Sequence, residues 1–138
     1  MPKIYLIHGW GGSPTEPMHT WLKENLTKAG FEVVVPEMPE AEEPQIKPWL
    51  AKMREVVGTP NKQTYFIGHS IGCQTILRYF ETLPAGIKVG RVFFIAPWMF
   101  LDDEAIAEEG EVAVEIQEEW EATSVDWDIV RQRTDKFV

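Results

Sequence analysis

The residues with the clearest chemical meaning are Gly68-His69-Ser70-Ile71-Gly72, a G-x-S-x-G pattern. The apolar run Tyr65-Phe66-Ile67 precedes it, and Cys73, Ile76, Leu77, Phe80 and Leu83 follow at the spacing of one helical face. Strand, sharp turn and helix therefore succeed one another without spacer residues. In that context a serine is forced into a strained turn with its hydroxyl exposed, the arrangement of a nucleophile in acyl transfer. The flanking glycines are required because side chains at those places would collide with neighbouring backbone.

A nucleophilic serine also needs donors for the oxyanion that develops on the attacked carbonyl. Two backbone amides usually serve, one following the nucleophile and one from an earlier strand-to-helix loop. Ile71 supplies the first. The second fits His8-Gly9-Trp10, which follows the apolar run Ile4-Tyr5-Leu6-Ile7, so the Trp10 N–H is the expected donor. A phosphate-binding reading of this loop fails because no Lys-Ser/Thr pair follows Gly12, and the third glycine of a dinucleotide-binding pattern would fall on Pro14.

The remaining reactive side chains read as structural. His69 adjoins the nucleophile, but neighbours around a sharp turn point in different directions, which suits a packed or hydrogen-bonded elbow residue better than a base. His8 lies under the oxyanion loop and His19 near the start of a helix. Three scattered histidines and one cysteine lack metal-ligand spacing, so neither metal nor cofactor is expected. Cys73 falls on the inward face of the elbow helix, where a neutral buried thiol is the common state.

The elements that must position these groups alternate. Ile4–Ile7 is a strand; Met18, Trp21, Leu22, Leu26 and Ala29 mark a helix stopped by Gly30; Phe31–Val35 is a second strand. Pro36 to Pro48 contains four prolines and reads as an irregular surface loop. Trp49, Leu50, Met53, Val56 and Val57 restore helical spacing, and Val92–Ile95 is an uninterrupted apolar strand. A helix-like stretch runs from Trp127 to Arg133, and Lys136-Phe137-Val138 reads as the start of another strand. A βαβαβαβ order argues for a parallel sheet with right-handed crossovers and helices on its faces, hence one three-layer α/β domain over residues 1–138.

Composition narrows the classes further. The net charge is -9, but ten acids and no bases lie between Asp102 and Glu121, leaving 12 acids against 13 bases elsewhere. That run reads as the solvated face of a helix. An acidic surface without a basic stripe argues against nucleic acid and anionic lipid as partners. No long apolar run or signal-type segment occurs, and a single cysteine suits a reducing compartment, so a cytoplasmic protein is expected.

The chain resembles the small single-domain serine hydrolases of the YdeN-like and retinoblastoma-binding-protein-nine-like family. The resemblance rests on Ile7-His8-Gly9, His19, Trp21-Leu22, Pro36-Glu37-Met38-Pro39, Trp49-Leu50 and Gly68-His69-Ser70-Ile71-Gly72-Cys73. It implies an α/β-hydrolase fold with a mostly parallel sheet, a small acyl or ester substrate, and a Ser-Asp-His triad built on Ser70. The implied acid follows the strand beginning near Phe137, and the implied histidine follows the next strand, so both lie beyond Val138. The expectation is a C-terminally incomplete domain, lacking its last strand and helix units and impaired as a carboxylesterase-type hydrolase. Asp102 and Asp103 follow the fourth strand, where some relatives of this fold place the acid, but no histidine comes after them. A second consequence is an exposed sheet edge at Val92–Ile95 unless Val138 and its neighbours cover it, and self-association through that edge. The competing reading is a non-catalytic module that keeps the fold and binds a partner through its pocket or through residues 102–121.

Overall fold

The computed structural model of the chain describes residues 1–98 and 110–138. The elements are β1 (Lys3–Ile7), α1 (Pro17–Lys28), β2 (Glu32–Val34), α2 (Ile46–Val57), β3 (Thr64–His69), α3 (Ile71–Glu81), β4 (Arg91–Ile95), α4 (Glu111–Ala122), α5 (Trp127–Arg131) and β5 (Lys136–Phe137). Local chemistry sets several boundaries. Pro17 occupies the first turn of α1, where its missing N–H costs nothing. At the other end Gly30 adopts a positive φ of 99°, and the Gly30 and Phe31 amides return to Thr27 and Leu26 carbonyls at 3.1 Å. That paired closure satisfies carbonyls the helix would leave open.

All strand pairs are parallel and the order is β2-β1-β3-β4-β5. The chain steps from β1 to β2, then reverses across β1 to β3 and continues through β4 to β5. Right-handed crossovers place helices of opposite travel on opposite faces. Thus α1 lies on one face, while α2, α3, α4 and α5 lie on the other. The larger core accordingly joins Tyr5, Ile7, Phe66 and Val92 of the sheet to Trp49 and Met53 of α2, Ile76, Leu77 and Phe80 of α3, and Ile116 and Trp120 of α4. A smaller cluster of Ile4, Leu6, Val33 and Ile67 packs under α1.

The structure resolves three expectations. The segment from Pro36 is not wholly irregular or superficial: α2 begins at Ile46, so Pro48 sits in its first turn, and Pro36, Met38 and Pro44 are buried. A proline among the first few residues of a helix has no intrahelical acceptor for an N–H to reach, which is why four prolines did not exclude it. Second, the condition set for the Val92–Ile95 edge is met, and Val138 and its neighbours cover β4. Arg91 and Val92 pair with Lys136 and Phe137 of β5, and the Phe94 N–H donates to the Val138 carbonyl at 2.8 Å. Third, the acidic run does more than face solvent. Within α4, Glu115, Glu118, Glu119 and Glu121 are exposed, while Ala113, Ile116 and Trp120 are buried. Glu119 also accepts the Ile46 N–H at 3.1 Å, placing a carboxylate at the N-terminus of α2. Asp102 and Asp103 lie outside the described residues.

The far end of α4 is held by Arg78 of α3, whose guanidinium donates to the Trp120 and Thr123 carbonyls. A cation at these open carbonyls complements the helix dipole. Among the described residues no helix is long and apolar enough to cross a membrane. Trp120 is buried against Trp49 with ring centroids 5.9 Å apart and donates its indole N–H to the Pro44 carbonyl at 2.9 Å. Trp120→Ala should therefore lower unfolding free energy by about 3–5 kcal/mol, read as a reduced midpoint in urea denaturation.

Candidate active site

The reversal between β1 and β3 puts the C-terminal ends of these adjacent strands at the point where connections leave in opposite directions. Crevices at such points are the usual ligand sites of open parallel sheets. Here one lip is His8-Gly9-Trp10 after β1, and the other is Ser70 after β3. The register brings Ile7 beside Gly68, so the two loops start level with each other.

Ser70 has φ 57° and ψ -124°, a left-handed conformation costly for a residue with a side chain. Surrounding bonds hold it there. Its N–H donates to the Ile95 carbonyl, and its carbonyl accepts from the Cys73 and Trp98 amides, each at 3.1 Å. The glycines explain how the elbow fits. A Cβ on Gly68 would lie 2.8 Å from both the Cys73 N and Cα, and one on Gly72 would overlap the Ile7 carbonyl oxygen and approach that of His8 to 2.8 Å. A Cβ on Gly9 would meet Ser70 Cβ at 3.0 Å, so the β1 loop runs directly against the serine.

The two expected oxyanion donors, Ile71 and Trp10, lie next to Ser70 in the chain and in the loop that runs against it. Ile71 is the first residue of α3, and a first-turn amide has no intrahelical acceptor. Trp10 follows the glycine that touches Ser70. Its indole is fixed by donation to the Glu42 carbonyl at 2.9 Å, and its ring meets Trp98 edge-on at 6.3 Å. Among the described residues nothing hydrogen-bonds to Ser70 Oγ.

The three histidines, distant in sequence, come together beneath this crevice. His8 and His19 rings lie 6.4 Å apart, and His19 and His69 rings 5.6 Å apart. His8 Nε2 accepts the Met38 N–H at 3.0 Å, so its proton resides on Nδ1, 2.9 Å from the Gly9 carbonyl. His19 Nδ1 lies 3.0 Å from both the Ser13 carbonyl and Glu16 Oε2, and therefore carries the proton on that nitrogen. His69 packs against His19 as an elbow residue should, but its buried Nδ1 has no hydrogen-bond partner among the described residues. Among those residues no group of three His, Cys, Asp or Glu side chains is placed to hold a metal ion. Burial depresses the pKa of His8, and it does the same to His69 with a further push from His19. Cys73 is buried, and desolvation pushes its thiol up to about 12, leaving it neutral.

Sequence reasoning missed the clamp on the proline-rich segment. Met38 donates to His8, Trp49 Nε1 donates to the Pro39 carbonyl at 2.7 Å, and Gly11 N–H reaches the Ala41 carbonyl at 2.7 Å. With the Trp10 and Trp120 indoles, these bonds secure a backbone that has few partners of its own. Clustered tryptophans near prolines were the available signal, but only the fold reveals which carbonyl each indole reaches.

The parallel sheet, its reversal point and the strand-turn-helix elbow there define the α/β-hydrolase fold. A serine hydrolase family model matches residues 4–134, and the chain belongs to that family, with a YdeN-like character. It is 31% identical over 94 residues to the putative hydrolase YdeN of Bacillus subtilis, a match covering 68% of this chain and 50% of that protein. The chain thus spans about half the length of this curated relative. The crystal structure of the B. subtilis ydeN gene product superposes with a TM-score of 0.84 at 23% identity, covering 99% of this chain and 69% of that one. A monoacylglycerol lipase from Paleococcus ferrophilus shares the fold at a TM-score of 0.58 and 22% identity, over 77% of this chain and 44% of its own.

Two outcomes follow. Gly72→Ala should cost about 3 kcal/mol, the upper end of overpacking, because backbone carbonyls of β1 cannot move aside as a side chain would; denaturant titration measures it. Histidines kept neutral in the fold but protonated once unfolded make stability fall with acidification. The contribution of His8 and His69 should therefore be flat above the ordinary histidine value near 6.5 and decline below it, by at most about 1.4 kcal/mol per pH unit for each of the two. His8→Gln, which keeps an acceptor for Met38, should make that decline shallower in denaturation curves taken across pH.

Proposed function

We propose that Ser70 is the nucleophile of a carboxylesterase-type acyl hydrolase and that the Trp10 and Ile71 amides stabilise the oxyanion. The observation that carries this reading is the positive-φ Ser70, held between two glycines whose surroundings leave no room for a Cβ and pressed against Gly9. Strain of this kind is retained where it serves a function. Attack of Ser70 Oγ on an ester carbonyl would form a tetrahedral oxyanion facing both amides; collapse would expel the alcohol and leave an acyl-serine for water to release. The substrate is a small acyl ester, in keeping with hydrolase relatives and with the Trp10 and Trp98 rings beside the crevice.

The proposal includes a deficit. None of the three histidines is hydrogen-bonded to Ser70 Oγ, and two of them use ring nitrogens to anchor loops. The base and its carboxylate partner are therefore assigned to polypeptide outside the described residues. Residues 1–138 alone are expected to be impaired, since a serine without its base retains only binding and oxyanion stabilisation.

Fluorophosphonate labelling of folded protein followed by peptide mass spectrometry tests both parts. The expected result is an adduct on Ser70 alone, forming far more slowly than on full-length YdeN and absent in Ser70→Ala. Modification of another residue would refute the nucleophile, and labelling as fast as YdeN would refute the missing base. Capture of a protein partner unchanged by Ser70→Ala, with no adduct at all, would favour a binding module.

A further inference from the structure

The proposed chemistry leaves one group of titratable side chains unused: the imidazoles of His19 and His69 and the carboxylate of Glu16. The His19 ring is wholly buried and meets the His69 ring edge-on, with centroids 5.6 Å apart. Among the described residues each ring carries a buried nitrogen without a hydrogen-bond partner, Nε2 on His19 and Nδ1 on His69. Leaving both unpaired is costly in a desolvated site, and the two are complementary. His19 Nδ1 directs its proton at the Ser13 carbonyl and Glu16 Oε2, both at 3.0 Å, so His19 Nε2 is a lone pair. A proton on His69 Nδ1 would give that lone pair its donor. Because the rings already touch, a modest turn of the half-buried His69 ring closes the pair to roughly 2.7–3.2 Å.

We propose that Glu16, His19 and His69 form a proton relay under the serine elbow, linked by His69 Nδ1–H donating to His19 Nε2, and that uptake of one proton reverses its polarity. Both rings are neutral beforehand. The incoming proton binds His69 Nε2, the ring nitrogen left on the solvent side. The Nδ1 proton passes to His19 Nε2, so His69 ends neutral with its proton on Nε2 and His19 becomes an imidazolium against the Glu16 carboxylate. Glu16 is already oriented for this, since Oε2 also accepts the Ser13 N–H at 3.2 Å. Burial and the neighbouring His19 hold His69 below the ordinary histidine pKa, which favours passing the charge on. His8 stands beside His19 but commits both ring nitrogens to Gly9 and Met38, and Glu37 acts on His8 from the loop after β2. On acidification the residue preceding Ser70 thus changes from acceptor to donor at its exposed nitrogen. The relay stands whether or not Ser70 is the nucleophile.

Nitrogen-15 NMR of the histidine rings of residues 1–138 across pH reads tautomer and charge residue by residue. Before acidification, His19 and His69 should both carry the proton on Nδ1, the less common tautomer of a neutral histidine. His69 should then switch to its Nε2–H form at the same midpoint at which His19 becomes charged. Glu16→Gln removes the counter-charge and should lower that shared midpoint by about one pH unit. His19→Leu should leave His69 in the Nε2–H form throughout its neutral range; Glu16 is partly exposed, so Glu16→Gln serves if His19→Leu does not fold. An Nε2–H tautomer at His69 before acidification, separate midpoints for the two residues, or a midpoint unmoved by Glu16→Gln would overturn the proposal.

Discussion

Everything at the crevice depends on a close backbone contact, the first turn of α3 against the end of β1. Gly72 has no room for a Cβ beside the Ile7 and His8 carbonyls, and Gly68 has none beside Cys73. Because these contacts involve backbone on both sides, they fix the elbow relative to β1 more rigidly than side-chain packing would. Bonds from Ile95, Cys73 and Trp98 then hold Ser70 in a conformation it would otherwise abandon. The strain is local, and three elements bear it: β4, α3 and the loop after β4.

Topology turns this contact into a site. Adjacent parallel strands with connections departing in opposite directions leave a crevice at their C-terminal ends. The two loops with oxyanion-forming potential border it. Among the described residues the same reversal makes the layers unequal, with α2 to α5 on one face and α1 on the other. The crevice and this unequal layering thus share one cause, the chain's change of direction after β2.

The proline-rich segment 36–45 illustrates how polar groups are satisfied where no regular element forms. Prolines remove donors and prevent helix or ladder bonding, so the carbonyls must find partners elsewhere. Indole N–H groups of Trp10, Trp49 and Trp120 reach the carbonyls of Glu42, Pro39 and Pro44, and Met38 donates inward to His8. Each tryptophan thereby joins an apolar core or crevice wall to a loop, a use suited to a large ring with a single donor. His8 links that loop to the one presenting Trp10.

The amino-acid sequence by itself determined the order of strands and helices, the parallel α/β class, the elbow at Ser70 and the identity of the loop facing it. These were legible because they are local: apolar periodicity, helix stops and a five-residue motif report on neighbours in the chain. Only the tertiary structure decided that His8, His19 and His69 meet, that Pro48 opens a helix, that Glu119 reaches the start of α2, and that β5 covers β4. Those outcomes depend on contacts between residues tens of positions apart, for which spacing carries no signal. The partial exposure of Phe93 and Ile95 belongs to the same class. An apolar strand reads alike whether or not a helix lies over it, because its composition records the need for cover and the packing decides what provides it.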